Sequence, residues 1–486
     1  MRALSSWRRP RFTLALLVVL IGGCAGGATV APLSNPTATS ISPSEAAALF
    51  DDVERRTFNF FWTTANPVNG LVPDRYPTQS FSSIAAIGFG LTAYPIGVER
   101  GYVTRNAAVN RVLLTLRFLH DAPQGPDASG IAGYHGFFYH FLDMSSGLRY
   151  RTTELSTIDT ALLMAGVLVV QSYFNGSDPG EVEVRRLADD LYRRVDWAWA
   201  ADTNGLVALG WTPETGFHPM RWRGYNEAMI LYVLGLGSPS SPLPDGAWRS
   251  WSAGYDSQWL TQYGQTYLTF PPLFGHQYSH VWVDYRGIQD AYMRAKGSDY
   301  FENSRRATYA QQAYAIANPL GWRDYGSLIF GVTACDGPGG VTAIYNGEAR
   351  IFRGYAGRGM GGKATYDDGT IAPTGAIASI AFAPEIALPA LSAMKTRYGT
   401  NLYSTYGFVD AFNPSFTFSV SVPAGYVVPG AGWFDTDYLG IDQGPIIAMI
   451  ENYRSDLIWR VMRGNAYIRS GLVRAGFTGG WLATPP

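Results

Sequence analysis

"AMILYVLGLG", residues 228–237, carries no charged side chain and is apolar around most of its circumference. A helix of that kind is buried on all sides. "IDTALLMAGVLVV" (158–170) and "GPIIAMIENY" (444–453) read the same way. "GEVEVRRLADDLYRRVDWAW" (180–199) differs: Val184, Leu187, Ala188, Leu191 and Val195 form one stripe, and Arg and Asp cover the rest. That helix keeps one face in water. An arrangement that uses both kinds is a double ring, with buried inner helices wrapped by half-exposed outer ones. The pattern predicts an all-α fold, an (α/α)6 toroid of helical hairpins, as one domain over 42–480.

The remaining periodicity agrees. Ser42-Pro43-Ser44-Glu45 is a capping box that opens a helix to about Thr64. Further helical patterns run over 82–99, 105–120, 155–174, 225–236, 277–295, 301–316, 376–396 and 443–463, with shorter ones at 246–260 and 466–475. Strand signals are few, and 341–355 and 416–428 read as small β-hairpin insertions.

The first residues read as an address rather than as fold. "MRALSSWRRPRF" is a basic n-region, and "TLALLVVLIGG" is an apolar stretch of signal-peptide length. "LIGGC" resembles a lipoprotein cleavage box, so residues 1–23 are expected to be removed and Cys24 lipidated. Residues 24–41, rich in Gly, Ala, Pro and Thr, are expected to tether the domain. Ala25 after the cysteine favours the outer membrane, so a lipid-anchored, cell-envelope location is expected. Without residues 1–23 the net charge moves from −1 to −5, which argues against nucleic acid. The remaining cysteine, Cys335, has no partner in the chain, so no disulfide is expected.

Aromatic residues make up 14% of the chain against 15% charged, and many stand in loop-like segments such as "GWTPETGFHPMRWRGY" and "FGHQYSHVW". Sugar C–H faces stack on such rings, so Trp211, His218, Trp222, Tyr225, His276, His280, Trp282 and Trp433 are candidate substrate contacts. The bland alternative is that the rings fill a large core. His276 and His280, four apart, could pair on a metal, but no third ligand stands near them, and no metal or cofactor is expected. There is no phosphate-binding Gly-rich loop with its Lys, no HExxH, no GxSxG and no paired CxxC.

Carboxylates cluster instead at the N-terminal ends of the buried-looking helices: Glu154 and Asp159, Glu227, and Asp442. In a toroid those ends gather around one cavity. Each acid also has a plain reading as a helix cap or dipole partner. Asp368 in "YDDGTIAPTG" and Asp410 in "YGFVDAFNP" add two more. Paired carboxylates in an aromatic cleft suit glycosidic cleavage, in which one gives a proton and the other activates water or attacks carbon.

"STIDTALLMAGVL", "RGYNEAMILYVLGLG", "DDGTIAPTGAIASIAFAPEIALPAL", "YGFVDAFNP" and "YLGIDQGPIIAMIENYRSDLIW", in that order, resemble the bacterial glucoamylase-like family, which includes endo-β-1,2-glucanases of glycoside hydrolase family 144. The resemblance implies the same toroid and inverting hydrolysis of β-1,2-glucan. It implies Glu227 as general acid, Asp159 and Glu154 as further acids required for activity, and Asp410 as the base, with Asp442 competing for that role. A soluble monomer acting on a glucan is the expectation. A hydrolase of another glucan, and a surface glycan-binding lipoprotein without turnover, remain as alternatives.

Overall fold

The computed structural model describes residues 41–360 and 366–484. The expected signal segment, nearly all of the tether and Cys24 lie outside the described residues. The capping box at Ser42 opens α1 (Pro43–Thr64) as expected. The chain continues through α2 (Ile84–Glu99), α3 (Arg105–Asp121), α4 (Thr157–Tyr173), α5 (Pro179–Arg194) and α6 (Met229–Gly237). Next come α7 (Tyr278–Trp282), α8 (Tyr300–Ala317), α9 (Pro373–Ile377), α10 (Pro384–Tyr398), α11 (Gly440–Ser455) and α12 (Ala466–Arg474). Among the described residues no helix is long and apolar enough to cross a membrane.

The two kinds of helix are present. Helices α2, α4, α6, α9 and α11 are buried along most of their length. On α5 the buried set is a stripe containing Val184, Leu187, Ala188 and Leu191. The buried helices are neighbours in a fixed order: α2 packs on α4, α4 on α6, α6 on α7, and α11 on both α7 and α2. Gln277, just before α7, ties in α9 by donating to the Gly375 carbonyl and to Ser379 Oγ, both at 2.8 Å. The order therefore returns to α2.

Close approach explains part of this packing. Where α2 crosses α4, a Cβ on Gly88 would press on the Leu162 carbonyl, and one on Gly166 on the Gly88 carbonyl. Gly444 of α11 leaves the same kind of room for the Phe89 ring. Core packing is dense enough that even one methyl is felt at such points.

Three buried helices are entered from a short, paired strand. Ser82–Ser83 pairs with Phe141–Leu142 ahead of α2, Leu155–Ser156 with Gly210–Thr212 ahead of α4, and Tyr438–Leu439 with Arg75–Tyr76 ahead of α11. These two- and three-residue ladders were not legible in the sequence. They pin the N-terminal ends where the carboxylates stand.

Several boundaries differ from expectation. The pattern at 277–295 is broken after Trp282: Asp284 Oδ1 accepts from the Arg286 amide at 3.1 Å, and Gly287 takes φ +70°. That local side-chain bond competes with the helix. Pro384 separates α9 from α10, with Ala383 non-helical before it. Asp456, at φ +63°, ends α11 before a separate helix Leu457–Arg463. The hairpin at 341–355 forms as Val341–Tyr345 against Glu348–Phe352. The one expected at 416–428 does not: Gly432–Phe434 pairs with Phe412–Asn413 on one side and Tyr426–Val428 on the other. Pro423 lies in the intervening segment and cannot donate to a ladder.

Candidate active site

Helix α4 starts at Thr157, and its cap, Ser156, accepts from the Asp159 amide at 3.2 Å. The same hydroxyl donates to Asp159 Oδ2 at 2.5 Å. The helix-capping reading of this pair is therefore correct as far as it goes. Asp159 has a second partner, however. His140 places Nδ1 2.8 Å from Glu154 Oε1 and Nε2 3.5 Å from Asp159 Oδ2. Burial works against a charged ring there, but Asp159, Glu154 and Asp74 outweigh it and push His140 up to about 9. Burial likewise works to raise Glu154, and its bond to His140 holds it below the usual range. Nothing in "HGFFYHFLDM" marked His140, because its partners lie on another segment.

Helix α6 starts at Met229, so Glu227 lies ahead of its first turn. The helix has no side-chain cap of its own. Ser279 of α7 supplies one: its Oγ accepts from the Ile230 amide at 3.0 Å and donates to the Glu227 carbonyl at 3.2 Å. Two buried helices thus fix the backbone that carries the acid. Glu227 Oε2 is shielded and has no hydrogen-bond partner among the described residues. Burial raises Glu227 to about 7, its own amide opposes, and the charge of Asp159 adds to the rise. Ser279→Ala should lower stability by about 0.5–2 kcal/mol, the usual range for a lost N-cap, and should lower turnover as Glu227 loosens. Thermal unfolding and kcat on one preparation measure both; unchanged kcat would deny Ser279 a positioning role.

A second group of acids stands at the start of α11 and on nearby loops. Asp442 in the first turn is buried, with Oδ2 unpartnered. Asp410 Oδ2 accepts the Asp336 amide at 2.7 Å, while its Oδ1 is unpartnered. Burial raises Asp410 well above the carboxylate range, and Asp442 and Asp336 raise it further. Burial also lifts Asp442, to about 7; the neighbouring Asp410 opposes, and Asp336 and Asp74 add to the rise. Arg75 answers part of this charge, with Nη1 2.5 Å from Asp336 Oδ2 and Nε 3.1 Å from Asp74 Oδ2.

The two groups act on one tyrosine. Tyr278 at the start of α7 donates to the Ile441 carbonyl at 3.0 Å. Burial holds its hydroxyl well above its ordinary pKa, and Asp442, Glu227 and Asp159 all act on it in the same sense. Tyr355, beyond the 341–352 hairpin, is half exposed as a residue, but the protein around its hydroxyl and the charges of Asp442, Asp410, Asp74 and Asp336 raise it. A shielded glutamic acid and a buried aspartate that both act on one tyrosine can hold a proton at one point and accept one at another. That is acid–base chemistry without a nucleophilic serine or cysteine.

A family model described as "Putative glucoamylase" matches residues 219–466. A Bacteroides uniformis protein solved under the same description is 30% identical, with 90% of this chain and 98% of that one covered, at a TM-score of 0.75. The chain belongs to this glucoamylase-like family. It is also similar to a Chitinophaga pinensis endo-β-1,2-glucanase solved with sophorotriose and glucose: 27% identity, 90% and 99% coverage, TM-score 0.76. A curated Parabacteroides distasonis protein, an exo-β-1,2-glucooligosaccharide sophorohydrolase acting from the non-reducing end, is 27% identical over 473 residues. That match takes in 90% of this chain, which spans 59% of the relative's length.

Within this glucoamylase-like chain, the residues expected at the site divide into two sets. Glu154, Asp159, Glu227, Asp410 and Asp442 come together as described. Trp211 and Trp222 are half-buried and His218 is exposed. Trp211 pairs in register with Leu155, next to Glu154, and packs against Tyr134 and Trp199. Trp222 donates to Thr157 Oγ1 at 3.1 Å. His218 is close enough for its charge to help lower Glu154.

Six others are corrected, because their side chains are buried on internal partners. Tyr225 shares a hydrogen bond with His276 Nδ1 at 3.1 Å, and His276 Nε2 faces the Phe270 carbonyl at 3.2 Å. His280 bonds Ser304 at 3.0 Å through Nε2, so the two histidines are not a metal pair. Trp282 stacks on Phe89 and donates to Thr92 at 2.9 Å. Trp433 donates to the Ala424 carbonyl at 2.8 Å. Asp368 is ion-paired to buried Arg358 at 2.8 Å. For these six, the core-filling or structural reading is the correct one. His140, Arg75, Asp336 and Tyr355 were missed, since their loops carried no periodicity to flag them, and Tyr278 was missed because a helical pattern does not show which residues another helix brings to its start.

Proposed function

We propose that the protein hydrolyses β-1,2-glucan or its oligosaccharides. The observation that carries this reading is the shielded, partnerless Oε2 of Glu227 set among the convergent carboxylates. An acid kept protonated near neutrality gives its proton to the glycosidic oxygen as the bond to the anomeric carbon breaks. Water attacks that carbon from the opposite face, and the Asp410–Asp442 pair takes the proton that water gives up. Net inversion follows, because a single displacement occurs and no covalent sugar is formed. The names of the Chitinophaga and Parabacteroides relatives support the linkage.

The buried helices, whose order of neighbours returns on itself, are read as the inner ring of an (α/α)6 toroid. The proposal extends to export as a monomer anchored through a lipid on Cys24.

The test is incubation with linear β-1,2-glucan, starch and laminarin, followed by product mass and anomeric proton spectra. Sophoro-oligosaccharides from β-1,2-glucan alone, released first as the α-anomer, are the expected result. Maltose or glucose from starch would replace the linkage assignment. Binding without new reducing ends would make the protein a glycan binder.

A further inference from the structure

Three loops meet beside α11, and each brings one carboxylate; two of the three are tied through one oxygen and buried without a partner at the other. Asp410, 2% exposed, gives Oδ2 to the Asp336 amide at 2.7 Å and leaves Oδ1 without a partner. Asp435, 1% exposed, gives Oδ1 to the Thr436 and Asp437 amides at 2.7 and 3.2 Å and leaves Oδ2 without a partner. Asp336 gives Oδ2 to Arg75 at 2.5 Å. The backbone links the loops: the Asp410 amide donates to the Asp437 carbonyl at 2.8 Å and the Asp435 amide to the Ala411 carbonyl at 2.9 Å. One oxygen from each of Asp336, Asp410 and Asp435 lies within 4.8 Å of the other two.

Among the described residues, no ion pair reaches Asp410 or Asp435, and Arg75 also serves Asp74 and, at 3.9 Å, Asp437. Three buried carboxylates with one shared guanidinium are short of positive charge. Hydrogen bonds hold their orientation without supplying it.

We propose that Asp336, Asp410 and Asp435 form a calcium-binding site. All three ligands are hard oxygens, which suits Ca²⁺ and not a soft metal. Calcium accepts irregular oxygen geometry at about 2.3–2.6 Å, whereas magnesium demands a near-ideal octahedron at about 2.0–2.1 Å and keeps most of its waters, so three carboxylates held on separate loops favour calcium. The remaining ligands are water or sugar hydroxyls, since calcium takes about six to eight oxygens. Bound there, the ion ties together the loops that place Asp410 next to Asp442 and leaves Asp442 as the member of that pair that takes the proton.

Such a site stands whether or not the protein cleaves β-1,2-glucan, so its test reads binding rather than turnover. The purified chain is stripped with EDTA, dialysed into metal-free buffer and titrated with Tb³⁺, whose emission Trp433 and other nearby rings can sensitise. A saturable signal at about one ion per chain is expected, displaced by Ca²⁺ and far less by Mg²⁺. Calcium should also raise the melting temperature above a control matched in ionic strength with NaCl. Asp435→Asn should lose both effects. Its amide oxygen still accepts from Thr436 and Asp437, so cooperative unfolding should persist, and Asp336→Asn provides a second variant. A Tb³⁺ signal that does not saturate, one that Ca²⁺ does not displace, or one that survives both substitutions overturns the site.

Discussion

Glu227→Gln should lower kcat on β-1,2-glucan by about 10²- to 10⁴-fold, the range for loss of an essential general acid. The amide nearly matches the carboxyl in size, and only the ability to release a proton is lost. The effect should fall on kcat and kcat/KM together, because the proton moves only in the transition state. The pH profile provides an independent check. A general acid works protonated, and burial places Glu227 at about 7, so kcat/KM should fall as pH rises through about 7. Stability should move in the same direction. The native state holds a proton that the unfolded chain releases near the ordinary 4.5, so Glu227 costs stability increasingly as pH rises from 4.5 to about 7. The Gln variant lacks that dependence and should gain stability relative to the parent at high pH. Wild-type turnover in Glu227→Gln, or a profile that does not decline on the basic side, would remove this residue from the mechanism.

Arg358→Met should destabilise the protein by about 3–5 kcal/mol, the cost of leaving a buried charge without its partner. The guanidinium is fully buried. Its Nε and Nη2 meet the two oxygens of Asp368 at 2.8 and 3.1 Å, Nη1 meets the Cys335 carbonyl at 2.6 Å, and Nη2 meets the carbonyls of Arg353 and Gly354 at 3.1 and 3.0 Å. Methionine fills much of the volume and satisfies none of these oxygens. Pairing it with Asp368→Asn should recover part of the loss, because the uncompensated charge is then gone. Turnover should fall in both variants, since two of the bonded carbonyls, those of Arg353 and Gly354, directly precede Tyr355, on which Asp442 acts. Urea midpoints of the single and double variants measure the first effect; a shift worth less than about 1 kcal/mol would mean that water reaches Asp368 and the pair is not isolated.

The Asp368 outcome shows where local pattern misleads. In the sequence "YDDGTIAPTG" offers a cleft acid, and in the structure it does not supply one. Asp367 accepts from the hydroxyls of Tyr314 and Tyr325, at 2.7 and 2.8 Å, and Asp368 pairs with Arg358. The aromatic candidates show the same limit. Trp211 and Trp282 lie in similar aromatic-rich, loop-like sequence, yet one is half-buried near Glu154 and the other stacks on Phe89 in the core.

The sequence alone determined the division into buried and half-exposed helices, because a side chain's face on a helix follows from its position in the 3.6-residue repeat. It also placed Glu154, Asp159, Glu227 and Asp442 around the starts of buried helices, and its ordered motifs pointed to the family. Only the tertiary structure decided which of the other acids and rings join them. His140 between Glu154 and Asp159, Asp336 and Asp435 beside Asp410, and Ser279 beneath Glu227 all meet across loops distant in sequence. The reason is physical: repeat position sets which way a side chain faces, whereas its partner, its burial and therefore its charge state depend on segments the chain brings alongside only when it folds.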